Sequence, residues 1–222
     1  MIIVASHINY KQAWETLRSS FLDAGVPLSE VIVVIAGAER LECQDNVPDH
    51  EIYITVPYNF YEYTAVYGVH MFMDRPRVKD TCYLLVHDTS VALSDFYNAY
   101  KLQKEMVERD NLQLLYLTPS KQLNQVILSY EFIKTYGSHY GFTAGKDLGW
   151  KYEHGHQGSF ISFADPTRVR AIGVPVSYGP GIKYQNSDIV RHPVIIEPIK
   201  LVKYVANNDA HINPPWQERV RP

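Results

Sequence analysis

Short apolar runs punctuate the first half of the chain. Ile2–Ala5, Val31–Ala36 (Val-Ile-Val-Val-Ile-Ala), Ile52–Val56, Cys82–Val86 and Leu112–Leu117 are dominated by aliphatic residues and bounded by polar or glycine positions. Continuous runs of this length predict strands buried on both faces. Between them the apolar spacing lengthens. Tyr10–Leu22 carries Ala13, Trp14, Leu17 and Phe21 close to helical spacing, with Gly25 as its stop. Phe60–Met73 predicts a second helix, ended by Arg75-Pro76, and Ser94-Asp95 caps a third that runs to about Val107. Strand and helix therefore alternate over residues 1–118, which predicts an α/β architecture: a mostly parallel open sheet flanked by helices.

The second half is less regular. Residues 119–157 combine a predicted helix near Leu123–Tyr136 with a stretch rich in glycine, histidine and tyrosine. Phe160–Phe163 reads as a strand, and Asp165-Pro166 opens a short helix with proline in its first turn. Ser177–Ser187 is a loop by its local signals, and Ile195–Val205 returns to the sheet or packs beside it. No internal repeat or low-complexity segment is present.

Composition narrows the class. At 222 residues, 46% hydrophobic and 20% charged, the chain has the profile of a globular protein rather than a disordered one. A net charge of −3 gives no basic footprint, which argues against nucleic acid as a partner. No apolar stretch approaches the ~18 residues of a membrane span, and the N-terminal run is too short and lacks the basic flank of a signal peptide. The expectation is a soluble, cytoplasmic protein with no membrane span. Cys82 sits inside an apolar run and reads as a buried thiol. Tyrosine is abundant, 17 against 8 phenylalanines, and clusters around Tyr58–Tyr67 and in the later loops. Its flat face and hydroxyl rim suit stacking on bases or sugars, and equally suit packing at core edges.

The most informative segment is Tyr83-Leu84-Leu85-Val86-His87-Asp88-Thr89-Ser90. An apolar strand that ends abruptly in polar residues delivers them to the carboxyl edge of an open sheet, where ligands of such sheets bind. A carboxylate there can hold Mg²⁺ or Mn²⁺ bridging the phosphates of a nucleotide diphosphate. Alternatively, Asp88 and Ser90 satisfy backbone groups in the turn.

The order of segments resembles that of GT-A glycosyltransferases, including small single-domain ones encoded by large algal viruses. The likeness covers roughly residues 1–118. It consists of the strand Ile2–Ala5 with Ser6-His7, a long helix, the strand Val31–Ala36, the segment Asn59-Phe60-Tyr61-Glu62-Tyr63-Thr64-Ala65 opening a helix, and the strand ending His87-Asp88-Thr89-Ser90. The last element corresponds to the family's DxD motif, whose carboxylates hold the metal and the donor diphosphate. Here Ser90 replaces the second carboxylate, so Asp88 alone carries over directly, and Ser90 is left to act through a bound water or on the ribose.

The resemblance implies a GT-A fold over residues 1–212, with a Rossmann-like nucleotide-sugar half (1–118), an acceptor half (119–212) and a loose proline-rich tail (213–222). The tail shows no clear closing element, so the chain is also compatible with being part of a larger multidomain enzyme. By the same resemblance Ala5, Ser6, His7 and Gly37 face the base, while Asn59 and Tyr63 lie near the nucleotide together with Asp88, Thr89 and Ser90. Asn59 equally suits a helix cap. A late histidine often completes the family's metal site, and His192 fits that place better than His211. The implied reaction moves a hexose or deoxyhexose from a nucleotide diphosphate sugar, UDP-linked by expectation, to a glycan hydroxyl with Mn²⁺ or Mg²⁺.

The stretch Asp147–Phe160 combines carboxylates, histidines, glycines and aromatics, a mixture suited to reading a sugar ring and its hydroxyls. Trp150, His156, Gln157, Gly158 and Ser159 are the sugar and acceptor candidates. Asp147 and Glu153 are candidate bases for an inverting displacement; a retaining one needs none. His154 and His156, two apart, share a face if extended and could pair on a metal. Lys183, in the glycine-rich loop, and Arg191 are placed to neutralise a leaving diphosphate, with that loop as a lid. Two other functions remain in view. A nucleotide-sugar or glycan-binding module without catalysis is compatible with the missing carboxylate. A Rossmann-type methyltransferase or dehydrogenase needs a glycine-rich turn after the first strand, whereas the chain has Ser6-His7-Ile8-Asn9-Tyr10.

Overall fold

The apolar runs of the first half form strands where their pattern places them. In the computed structural model, which describes residues 1–59, 62–118, 125–141, 160–173, 179–183 and 190–206, β1 (Ile2–His7) is followed by α1 (Lys11–Asp23) and β2 (Val31–Ala36). A short β3 (Glu42–Gln44) then precedes β4 (Ile52–Val56), α2 (Glu62–Phe72) and β5 (Cys82–His87). Strands β1, β2, β4 and β5 are mutually parallel, and the central three are buried almost throughout, as continuous aliphatic runs covered on both faces must be.

After β5 come a three-residue β6 (Ser90–Ala92), α3 (Phe96–Arg109) and β7 (Leu114–Tyr116). The region expected to be helical from Leu123 divides instead into β8 (Val126–Ser129) and α4 (Tyr130–Tyr136). Val126–Ser129 is wholly buried and runs antiparallel between β5 and β7, a central place that only an apolar run fits. Ser129 ends the strand and starts the helix, its hydroxyl accepting from Phe132 N at 3.1 Å. Phe160–Phe163 is also corrected, from strand to a single helical turn, α5. Its Phe160 ring is held by Tyr63 at 4.9 Å and Tyr140 at 5.5 Å. Asp165 caps the following 3-10 turn, and β9 (Val169–Ala171) closes the sheet beside β7.

The resulting eight-stranded sheet has the order β3-β4-β2-β1-β5-β8-β7-β9; it is mixed but mostly parallel, flanked by helices, and compatible with a Rossmann-like fold. A second, four-stranded sheet pairs β10 (Ile182–Lys183), β11 (Val190–Ile196), β12 (Leu201–Ala206) and β6. The Ile195–Val205 region thus packs beside the main sheet.

Two cores lie on the two faces of the main sheet. Ile3, Ile32, Val34 and Leu85 pack with Val66 and Val69 of α2. Ile2, Val4, Val33 and Leu84 pack with Leu17 and Phe21 of α1, Phe96 of α3, and the inner face of the small sheet (Ala92, Val194, Ile196, Leu201, Val205). Among the described residues no helix is long and apolar enough to cross a membrane.

Ile127, fully buried in β8 within the second core, tests the strand assignment. Ile127→Ala is expected to cost about 2–5 kcal/mol. Urea denaturation should show a lowered midpoint at unchanged slope, and a loss of less than about 1 kcal/mol would contradict a central strand here.

Candidate functional site

The chain leaves β1 outward through β2 and β4, then returns to the other side of β1 as β5. This reversal of strand order makes the carboxyl ends of β1 and β5 the switch point, the place where ligands of open α/β sheets bind. Asp88 is the first residue beyond β5. Its backbone N–H donates to Ala5 O at 3.1 Å, and Ser6 Oγ donates to its Oδ2 at 2.7 Å. Only 4% of Asp88 is exposed. Burial raises its carboxyl to about 6, against the opposing pull of the Ser6 hydroxyl, the Arg191 charge and the Thr89 backbone N–H.

The neighbouring strand ends shape the adjoining part of the edge. His7 Nδ1 accepts from Asn9 N at 3.3 Å, and its ring lies 5.7 Å from that of Tyr10. Its Nε2 turns towards Gly37, whose φ of +78° is in the left-handed region. A Cβ at position 37 would fall 2.7 Å from His7 Nε2, so a side chain there would displace the His7 ring as well as meet the positive φ. Ser6, His7, Gly37 and Asp88, singled out separately in the sequence, therefore adjoin one another.

The small sheet supplies the opposite wall. Ser90 pairs with Lys203 on β12, His192 pairs with Val205, and Thr89 O accepts from Tyr204 N at 2.8 Å. Because Lys203 and Val205 are two apart, Ser90 and His192 lie on one face of this sheet, on either side of β12. It is the buried face: Ser90 is fully enclosed and His192 is 3% exposed. Among the described residues, Ser90 Oγ and His192 Nε2 nonetheless have no hydrogen-bond partner. His192 Nδ1 is engaged, 2.9 Å from Gly179 O, and since a carbonyl only accepts, Nδ1 carries the hydrogen. A polar ligand at this edge would supply both atoms with a partner. Among the described residues no group of three or more histidine, cysteine, aspartate or glutamate side chains could hold a metal. His7, His87, Asp88 and His192 are among the residues of that kind at this edge, without forming such a group.

Cations complete the electrostatics. Burial first, then the charges of Lys203 and Arg191, hold His87 well below the usual histidine range. His87 Nε2 lies 3.9 Å from Oε2 of Glu62, a buried carboxylate at the start of α2. Sequence reasoning did not single out Lys203 or Glu62. The signal for Lys203 was available: Leu201, Lys203 and Val205 alternate onto one face, and a lysine between two buried aliphatics is out of pattern.

Other expected residues lie elsewhere. Tyr63 is fully buried, stacked on Tyr140 at 5.0 Å, so its ring belongs to the core beneath α2. Asn59 precedes α2, and Lys183 pairs with Val190 in β10. Asp147, Trp150, Glu153, His154, His156, Gln157, Gly158, Ser159 and His211 lie outside the described residues, as does the 213–222 tail. No protein-family model matches the chain, and no curated protein matches it.

The buried carboxylate makes a stability prediction. Asp88's folded value of about 6 exceeds its ordinary 3.8, so its contribution to stability is fully present below 3.8 and lost as pH rises through about 6. Asp88→Asn removes that loss, and should stabilise the protein by about 1–3 kcal/mol at neutral pH. Urea unfolding at neutral and acidic pH checks this; the advantage should shrink towards nothing as pH falls to the ordinary carboxylate range.

Proposed function

We propose that the protein is a GT-A-type glycosyltransferase that transfers a sugar from a nucleoside diphosphate donor, with uridine diphosphate as the nucleotide, to a glycan hydroxyl. The observation that carries this reading is the convergence on one sheet edge of buried Asp88, the unpartnered Ser90 and His192 atoms, and the charges of Arg191 and Lys203. A diphosphate needs what this edge offers: positive charge from the protein, and a carboxylate and an imidazole that would hold a divalent cation.

The ends of β1 and β2, where His7 lies against Gly37, border the nucleoside. Asp88, Ser90 and His192 would hold Mn²⁺ or Mg²⁺, and their chemistry fits: a carboxylate fixed by Ser6, a hydroxyl, and an imidazole whose Nδ1–H is already taken. When bound, such an ion supplies positive charge to the two phosphates. In the transfer, the acceptor oxygen bonds to the anomeric carbon as that carbon's bond to the phosphate oxygen breaks. The electron pair leaves with the nucleoside diphosphate. Arg191 and Lys203 then face the charge that develops on the leaving group, where preformed cations contribute most. Asp147 and Glu153 remain the candidates to take the acceptor proton in an inverting reaction.

Binding without transfer is a second reading, favoured by one observation: Ser90 stands where a second carboxylate would. Calorimetry with UDP, with and without Mn²⁺, tests both. Metal-dependent UDP binding that weakens by at least about tenfold in Asp88→Ala supports the site. Slow hydrolysis of a UDP-sugar without acceptor then marks an enzyme rather than a binding module. Binding of S-adenosylmethionine or NAD in preference to UDP would overturn both readings.

The cations make a separate prediction. Lys203→Ala should weaken UDP by about tenfold but leave uridine binding nearly unchanged, because the lysine answers to phosphate charge. Equal losses for the two ligands would remove Lys203 from the diphosphate site.

A further inference from the structure

We propose that Gly179 is a positioning residue: its carbonyl holds the His192 ring in the Nδ1–H form, so that the Nε2 lone pair is presented to a divalent cation. This rests on the cation reading of that edge, and adds to it the residue that prepares the imidazole.

The contact is a two-point clamp. Gly179 O accepts from His192 Nδ1 at 2.9 Å, and Gly179 N donates to Pro193 O at 2.9 Å. One residue thus grips two successive positions of β11. The alternative proton position, on Nε2, would bury an N–H with no acceptor among the described residues and leave Gly179 O facing a second lone pair. The Nδ1–H form is therefore the one that the enclosure selects, and it leaves the ligating nitrogen bare. Metal-binding histidines are characteristically oriented in this way, through a carbonyl or carboxylate on the other nitrogen.

Glycine is required by the closeness of the grip. A Cβ at position 179 would lie 2.8 Å from Pro193 Cγ and 3.4 Å from Pro193 O. The proline ring cannot swing aside, because it is closed onto a backbone paired with Tyr204 of β12. A side chain at 179 must therefore lift the 179 backbone away, taking the carbonyl from His192. The fold would survive, since the strand pairing of β11 with β12 does not involve Gly179.

The test uses the whole chain with ¹⁵N-labelled histidine rings. Nitrogen NMR without metal reads the tautomer of His192, assigned through His192→Gln, and calorimetry reads Mn²⁺ affinity. In the native protein the proton is expected on Nδ1. In Gly179→Ala it should redistribute towards Nε2, with Mn²⁺ affinity reduced about 10- to 100-fold. Gly179→Ala with Pro193→Ala removes the obstructing ring carbon, and should restore both tautomer and affinity. That rescue is not expected of a glycine needed only for folding. A native Nε2–H ring, or a Gly179→Ala protein with native tautomer or native Mn²⁺ affinity, would overturn the inference alone. Absence of Mn²⁺ binding by the native protein would overturn the cation reading itself and this inference with it.

Discussion

The site depends on a buried carboxylate held against the first strand. Asp88 is tied to β1 twice, through its own N–H to Ala5 and through the Ser6 hydroxyl to its side chain. Both bonds require that β1 and β5 end at the same level. That level is set deep in the sheet, where Ile2 pairs with Leu84 and Ala5 with His87. A slip of one residue would turn each aliphatic side chain to the opposite core. The two packed faces therefore fix the register, and the register brings serine and aspartate together. Core packing and site geometry are the same constraint seen at the middle and at the end of the strands.

The small sheet extends this constraint into a second wall. Only Thr89 separates Asp88 from β6, and β6 pairs with β12, which in turn pairs with β11. His192 is therefore connected to Asp88 through two strand pairings, although more than a hundred positions separate them in the chain. The inner face of the small sheet shares a core with α1 and α3. Its apolar residues hold the wall in place, and its polar ones, Ser90 and His192, are enclosed where that core meets the carboxyl edge. Among the described residues neither polar atom has a partner, and such enclosure is unfavourable unless a ligand supplies one.

Much of this was legible in the sequence, and the boundary has physical causes. The long aliphatic runs of β1, β2, β4 and β5 admit one interpretation, and with them the strand-end residues Ser6, His7, Gly37 and Asp88. Val126–Ser129 reads ambiguously because its three apolar residues fit a buried strand and a helix equally, and Tyr130–Tyr136 beyond it is helical. Phe160–Phe163 failed for the same reason in the opposite direction. The three-residue β6 carries no local pattern; it exists because β12 lies beside it. Tyr63 is placed near the nucleotide only by the resemblance; within α2 its ring lies in the aromatic core, stacked on Tyr140. His192 was singled out from a resemblance, whereas the sequence offered nothing to place it on the face that carries Ser90.

Serine at position 90 has its own logic. The position is fully buried, and the neighbouring Asp88 is already pushed up to about 6 by its enclosure. A second acid there would meet the same desolvation and add repulsion from a like charge, so both could not readily stay ionised. The fold instead sets Ser90 across from Lys203, with the Arg191 charge also bearing on Asp88. The charges of Lys203 and Arg191 both act on this stretch, and a second carboxylate would offset part of that positive charge. Under the transferase reading, part of the charge that offsets the diphosphate has thus moved from a bound cation to the protein itself. On that reading the serine is consistent with function: Lys203 and Arg191 would attract the phosphates, and a cation would need one firm carboxylate rather than two.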